Sequence, residues 1–325
     1  MNSARTIQSV DQIKALADPQ RLLILQRLLT GQATLSQLAN QLKHSPAWVR
    51  HHLLGLEKAG LVELVEVRKT GRVIEKYYQA KAGAYLVQQW VLPASDKPFL
   101  IFSGSHDLAL EWLAARTQRF LQMIILPVGS LNGLINLRQG VCQLSGTHIL
   151  DPSTGEYNTP TLKRLFPDRS LQVITLAHRT QGLMIARKNP KGIHGINDLA
   201  RADVRFVNRN EGSGTRLWLD TELGRLGIST AKVLGYEHQF NTHQQTARCV
   251  QKGEADVALG LQAAAFHFGL DFIPLYEERY DLVFYNQEMD KFSPLLVSLT
   301  SSEFRNQIQT LSGYNTTHSG EQILF

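Results

Sequence analysis

The sequence predicts two domains of different class, an α+β domain over residues 1–92 and a two-lobed α/β domain over residues 99–325, joined by a linker at 93–98. Three observations predict this. All the excess positive charge lies in the first domain. Its apolar spacing changes from helical to alternating partway along. Beyond residue 99, apolar strands repeatedly end in Gly/Ser-rich turns that open helices.

At 325 residues the chain exceeds one average domain and suits two. Its 43% hydrophobic and 19% charged residues support ordinary packed cores and argue against disorder. The formal charge is +6, and residues 1–90 hold 12 Lys/Arg against 6 Asp/Glu, so the remainder is balanced. A basic module joined to a neutral one points to a polyanion partner for the first alone. The sequence has no uninterrupted apolar run of about 18 residues, which argues against a membrane span. Met1 to Thr6 offers no apolar core behind Arg5, so no signal peptide is expected and the expected location is cytoplasmic. Cys142 and Cys249 match no metal or redox spacing and are expected to be buried as small apolar residues.

Within the first domain, residues 11–30 carry a broad apolar helical face broken at Asp18-Pro19. A short helix follows over Thr34 to Leu42. Ser45-Pro46 then supplies a cap and a first-turn proline for a helix over 47–58, with Val49, Leu53 and Leu56 inward. Two short helices around a tight turn, the second rich in donors, form a helix-turn-helix suited to a major groove. Residues 61–67 alternate at period two, Arg68-Lys69-Thr70-Gly71-Arg72 makes a basic turn, and 73–78 returns as a hairpin. A further helix is expected around Ala84 to Val91.

These features give the domain a winged-helix form. Ala17-Asp18-Pro19-Gln20-Arg21, Val49-Arg50-His51-His52-Leu53, Leu56 to Val62 and Gly71-Arg72 resemble the ArsR-type winged-helix repressors over residues 10–80. The resemblance implies a homodimer on a double-stranded DNA operator. Ser45, Trp48, Arg50, His51, His52, Arg68, Lys69 and Arg72 are the candidate DNA contacts. Metal-sensing members carry a Cys-x-Cys pair on the helix before the recognition helix. Leu35 to Leu42 has no cysteine, so no metal site is expected.

In the second domain, 99–102, 123–128 and 204–207 are apolar runs leading into Ser103-Gly104-Ser105-His106-Asp107, Gly129-Ser130-Leu131-Asn132-Gly133 and Asn208 to Arg216. Helices are expected after them at 108–120, beyond 133 and at 217–226. A helix N-terminus offers unpaired amides and a positive dipole end, glycine permits close approach, and hydroxyls add donors. Three such turns at the carboxyl ends of strands would enclose a small anion.

The same turns, with Thr147 to Asp151, Arg179 to Leu183, Glu254 to Gly260 and Glu278 to Leu282, resemble a type II periplasmic-binding-protein-like fold over 99–325. The resemblance is to an intracellular branch fused to regulators and to molybdopterin-biosynthesis proteins. It implies one lobe over 99–182 and 283–325 and another over 183–282. Exported molybdate- and tungstate-binding proteins carry similar turns, which makes Ser105, Ser130, Arg209 and Thr215 the first anion-contact candidates and Ser103 and Ser213 the next. The first turn departs from theirs in lacking a threonine run. His148 reads either as a ligand contact or as a strand-end donor. Arg179 and Glu278-Arg279-Tyr280 read as hinge ion pairs or as cleft residues.

No nucleophile elbow, Walker loop or His-Glu-x-x-His pattern is found, so no enzyme and no catalytic cofactor is expected. The expected function is a one-component transcription regulator sensing a small anion, with molybdate or tungstate as the favoured effector. The alternatives are a sensor of a molybdopterin-type compound or another small organic acid, and a ligand-binding adaptor whose winged helix contacts protein.

Overall fold

A computed structural model describes residues 3–7, 9–70 and 73–324. The chain divides into two compact units, Met1–Ala94 and Ser95–Phe325.

The first unit runs β1 (Ala4–Ile7), α1 (Val10–Leu16), α2 (Pro19–Thr30), β2 (Ala33–Thr34), α3 (Leu35–Leu42), α4 (Pro46–Lys58), β3 (Val62–Thr70), β4 (Val73–Ala80) and β5 (Ala84–Val87). Each helix start has a visible local cause. Asp18 accepts from Gln20 N at 2.9 Å ahead of Pro19. Thr34 and Gln37 form a reciprocal capping box. Ser45 Oγ accepts from Trp48 N at 3.2 Å ahead of Pro46. Lys43 closes α3 in the left-handed region, at φ 56°, which turns the chain into α4 within three residues. Ile24, Leu25, Leu28, Leu38, Val49, Leu53, Leu56 and Leu61 fill a core that β2, β4 and β3 cover as a three-stranded antiparallel sheet.

The helix expected at 84–91 is not formed. Ala84–Val87 is a strand pairing in parallel with β1, from Ala4 opposite Ala84 to Ile7 opposite Val87. Tyr85 Oη anchors it by donating to Leu61 O at 2.7 Å. A four-residue apolar run satisfies either periodicity, and a partner strand eighty residues earlier decided it.

The second unit begins with β6 (Phe99–Gly104), α5 (Leu108–Thr117), β7 (Gln122–Pro127), α6 (Ser130–Arg138), β8 (Leu144–Thr147), α7 (Thr159–Leu165) and β9 (Leu171–Ile185). It continues with β10 (Phe206–Arg209), α8 (Gly214–Arg225), β11 (Gln239–Phe240), α9 (His243–Gln251), β12 (Val257–Leu261), α10 (Gln262–His267) and β13 (Asp271–Tyr285). It ends with α11 (Met289–Thr300), α12 (Ser302–Gln309) and β14 (Tyr314–Asn315). The strands follow the order β11-β10-β12-β9-β13-β8-β6-β7, with β14 beside β9. β6 lies parallel to β7 and β8, and β10 lies parallel to β11 and β12. The long antiparallel pair β9 and β13 runs between these two parallel groups and serves both lobes.

β9 joins β12 from Gln181 onward, and β13 pairs with β8 at Asp281–Val283. The expected helix at 108 begins at Leu108, whereas those expected beyond 133 and at 217 begin earlier, at Ser130 and Gly214, inside the segments read as turns. Cys142 and Cys249 are both buried free thiols.

Candidate functional site

The carboxyl ends of β6, β7 and β8 carry Ser105, Ser130 and His148, all fully buried and joined to one another. Ser105 Oγ lies 3.0 Å from Ser130 Oγ and 3.0 Å from His148 Nε2, and the His148 amide donates to Ser130 Oγ at 3.2 Å. His148 Nδ1 is 2.6 Å from Glu278 Oε2. Glu278 also accepts from Gln181 Nε2 at 2.8 Å and is ion-paired with Arg179, which donates to Asp107 Oδ2 at 2.6 Å. Gln181 Nε2 reaches on to Thr215 Oγ1 at 3.2 Å, in the first turn of α8. The cluster thus runs unbroken from one lobe to the other.

The two long strands build its centre by simple alternation. Arg179 and Gln181 stand two residues apart on β9, as do Tyr276, Glu278 and Tyr280 on β13. Arg179 is directly opposite Glu278, and Gln181 opposite Tyr276. Backbone contacts close the two lobes around the cluster. Leu131 N donates to Gly212 O at 3.0 Å, and Asn210 Nδ2 donates to Val128 O at 3.0 Å. A Cβ on Gly214 would lie 2.6 Å from both His148 Nδ1 and His148 O, so glycine is what lets α8 approach.

The electrostatics of the cluster are unbalanced. Burial pushes the Glu278 carboxyl up, but Arg179 and His148 beside it more than offset this and hold it at about 2. Arg209, at the end of β10, is buried, and burial together with like-charged Arg179 draws its guanidinium down to about 9. Its Nη2 and Nε reach only the Asn241 and Phe240 carbonyls, at 2.9 and 3.4 Å, and its Nη1 has no hydrogen-bond partner. Both nitrogens of buried His243 also lack partners, and burial, then Arg209 and Arg179, hold that ring well below the ordinary histidine range. Among the described residues Arg209 forms no salt bridge, with Glu278 acting on it only at longer range, and a buried cation so placed is suited to an anion.

The first unit presents its donors quite differently. Arg50 and His51 are exposed on α4, and Lys69 is exposed on β3. Trp48 stacks on His44, ring centroids 3.8 Å apart, and leans on His52 at 4.5 Å. Half-buried His52 has Nδ1 3.3 Å from Asp18 Oδ2. Arg68 is held by Glu66 in a two-point pair at 2.6 and 2.8 Å and lies over the Tyr77 ring.

Two family models match this chain: a PBP superfamily domain over residues 112–299, and the bacterial regulatory protein, arsR family, over residues 18–63. The chain belongs to the PBP superfamily. Its PBP-like domain follows an ArsR-family helix-turn-helix, which implies DNA binding by the one and a small ligand for the other. The uncharacterized protein YvgK of Bacillus subtilis (strain 168) is 34% identical over 310 residues, covering 91% of this chain and 98% of that one. An uncharacterized protein from the 5′ region of a 2Fe-2S ferredoxin gene of Clostridium pasteurianum is 33% identical over 108 residues, 32% of this chain and 96% of its own. An ABC-type phosphate transport receptor from Vibrio cholerae is similar in structure, with a TM-score of 0.43, 17% identity, and coverage of 66% of this chain and 98% of the receptor.

Within the PBP-like domain the expected contacts divide into two groups. Ser105, Ser130, Thr215 and His148 meet in one hydrogen-bonded cluster, and Arg209 acts on it electrostatically. Ser103 and Ser213 do not join it. Ser103 Oγ accepts from Asn136 Nδ2 at 2.8 Å, and Ser213 Oγ caps α8 by accepting from Arg216 N at 3.2 Å. Both hydroxyls accept a bond and stand apart from the connected cluster. Arg179 and Glu278, left open between hinge and cleft, sit where the strands cross and hold the cluster together. Gln181 and Tyr276 were missed. Their signal was the period-two spacing from Arg179 and Glu278, which a search for glycine-rich turns does not see.

In the helix-turn-helix, Ser45 is a cap, while Trp48, His52 and Arg68 are engaged within the unit. Arg50, His51 and Lys69 remain exposed donors, and Arg72 lies outside the described residues. Among the described residues no group of three or more His, Cys, Asp or Glu is placed to hold a metal, and no helix is long and apolar enough to cross a membrane.

Proposed function

We propose that this protein is a one-component transcription regulator whose PBP-like domain senses a small anion, held between its lobes by Ser105, Ser130, Thr215 and Arg209. The observation that carries this is Arg209, a buried guanidinium with an unpartnered Nη1 and no salt-bridge carboxylate among the described residues, acting electrostatically on His148 and His243. An enclosed anion supplies the missing acceptor and the missing charge. Oxyanions of the molybdate and tungstate class suit the charge of such a site, and they are the effectors we favour. The protein works as a homodimer on a double-stranded operator, inside the cell where that operator lies. Anion binding changes operator affinity. Coupling of this kind is typically about 1–3 kcal/mol, or roughly 5- to 150-fold in affinity.

The test is a thermal-shift series on the full chain with molybdate, tungstate, sulfate, phosphate and small carboxylic acids. A ligand that binds only the native state raises the transition temperature, with the stabilisation growing as the logarithm of one plus its concentration over Kd. Operator binding is then measured with and without the stabilising anion. A panel in which no anion shifts the transition, or an anion that binds without altering operator affinity, defeats the proposal.

A further inference from the structure

The hydrogens in the cluster can be assigned one by one. Glu278 is ionised, so His148 Nδ1, 2.6 Å away, must carry the hydrogen between them. Burial, opposed by Glu278, keeps the ring below its ordinary range and hence neutral, so Nε2 is a bare acceptor. Ser105 Oγ, at 3.0 Å, must then donate to Nε2. That uses the only hydroxyl hydrogen of Ser105, so the 3.0 Å contact with Ser130 is a donation from Ser130. Ser130 in turn accepts from the His148 amide at 3.2 Å. The donors form a closed ring, with both serine hydrogens spent on protein acceptors.

An anion breaks this ring. It needs donors, so Ser130 and Ser105 must swing their hydrogens towards it, and His148 Nε2 is then left as a lone pair beside a negative charge. Two like acceptors cannot share that position without a hydrogen between them. We propose that anion binding at this site requires one hydrogen between His148 Nε2 and the ligand, brought by a protonated ligand or taken up from solvent. This rests on the anion-sensing reading above and adds to it the form of ligand the site selects: an anion with its own hydrogen, such as hydrogen phosphate, fits without cost, whereas an aprotic dianion binds only with proton uptake. The groups that act on the ring from the surrounding elements are Glu278 on β13, Arg179 on β9, Arg209 on β10 and His243 on α9. Tyr280 stacks on the ring at 5.7 Å. Among the described residues Glu278 is the one carboxylate that pairs directly with the ring, and it stays in place to neutralise an imidazolium.

The experiment is calorimetric titration of the full chain with sulfate, molybdate and phosphate at pH 7, each in two buffers of different ionisation heat. Sulfate and molybdate should each draw close to one proton from the buffer, and their affinity should fall about tenfold per unit rise in pH. Phosphate, already carrying a hydrogen, should draw almost none. His148→Asn should abolish the uptake for sulfate. A site that fills with sulfate or molybdate with no proton exchanged, and with phosphate no better at high pH, overturns the proton requirement while leaving the anion site standing. No binding heat from any of the three overturns both readings.

Discussion

Arginine, histidine and serine recur in both domains of this protein, but they are placed in opposite ways. On α4 and the hairpin, Arg50, His51 and Lys69 stand in solvent and are backed by a core that does not involve them. In the PBP-like domain Arg209, His148, His243, Ser105 and Ser130 are buried, and Ser105, Ser130 and His148 are fixed by one another. Exposed donors spaced along a helix suit a long polyanion that stays hydrated and is held by many weak contacts. Buried donors aimed at one another suit a small ion stripped of water and held by few strong ones. The comparison predicts that single substitutions act strongly in the second domain and mildly in the first.

The largest effect is expected at Arg209. Replacing it with methionine removes a charged donor worth about 1.5–3 kcal/mol and should weaken anion binding roughly 100-fold. The ligand-free protein should be nearly unchanged or stabilised, because relief of a buried charge without an ion-pair partner, worth up to about 1–4 kcal/mol, offsets the lost bonds to the Asn241 and Phe240 carbonyls. Thermal shifts with and without the anion measure both signs at once. A destabilised ligand-free variant would mean that Arg209 is paired in solution and that the argument from its orphaned nitrogen is wrong.

Next comes Gly214→Ala, which alters no charge. Its Cβ would press on His148 Nδ1 and O at 2.6 Å, and the His148 backbone cannot yield as a side chain can. Overpacking of this kind costs about 1–3 kcal/mol, so closure and anion affinity should drop by about tenfold or more. Circular dichroism should show an intact fold, since Gly214 lies in a helical turn that alanine accepts. Unchanged affinity would show that the closed arrangement of the lobes is not the one that binds.

These two residues also show what could be read from the sequence and what could not. The fold was legible because its signals are local: a proline behind Asp18, serine at a helix start, alternation in the hairpin, and glycine-rich turns behind apolar runs. Ser105, Ser130, Thr215 and Arg209 were legible as parts of those turns. Ser103 and Ser213 share the same turns, yet Ser103 Oγ accepts from Asn136 and Ser213 Oγ from the Arg216 amide, which keeps both out of the cluster. Which serine joins the cluster depends on neighbours such as Asn136 that lie far along the chain. The His148–Glu278 contact spans 130 residues and rests on the register of β9 with β13, which no local pattern reports. Ala84–Val87 failed for the same reason, since its partner is the distant N-terminal strand.

In the first domain the expected effects are smaller. Arg50→Ala removes one exposed donor, so operator affinity should fall a few-fold and the slope of log affinity against log salt should shrink by about 0.9, one phosphate contact. Anion affinity measured without DNA should not change. An unaltered salt slope would take Arg50 out of the interface and leave His51 and Lys69 to account for it.

The smallest effect is on the pH dependence of stability in the PBP-like domain. Burial lowers the proton affinity of His148 and His243 in the folded state, so between their folded values and the ordinary 6.5 the unfolded chain binds more protons. Stability of the ligand-free PBP-like domain should therefore rise as pH increases from 5 towards 7. Glu278 runs the other way in cause but not in this window. Held at about 2, its contribution is complete above the ordinary carboxylate range and is lost only in stronger acid. Saturating sulfate should flatten the rise, because a bound dianion lets His148 hold its proton in the folded state too. Melting curves of the full chain at several pH values, with and without sulfate, read this directly. A slope that sulfate leaves untouched would place His148 outside the binding event, however well its geometry fits.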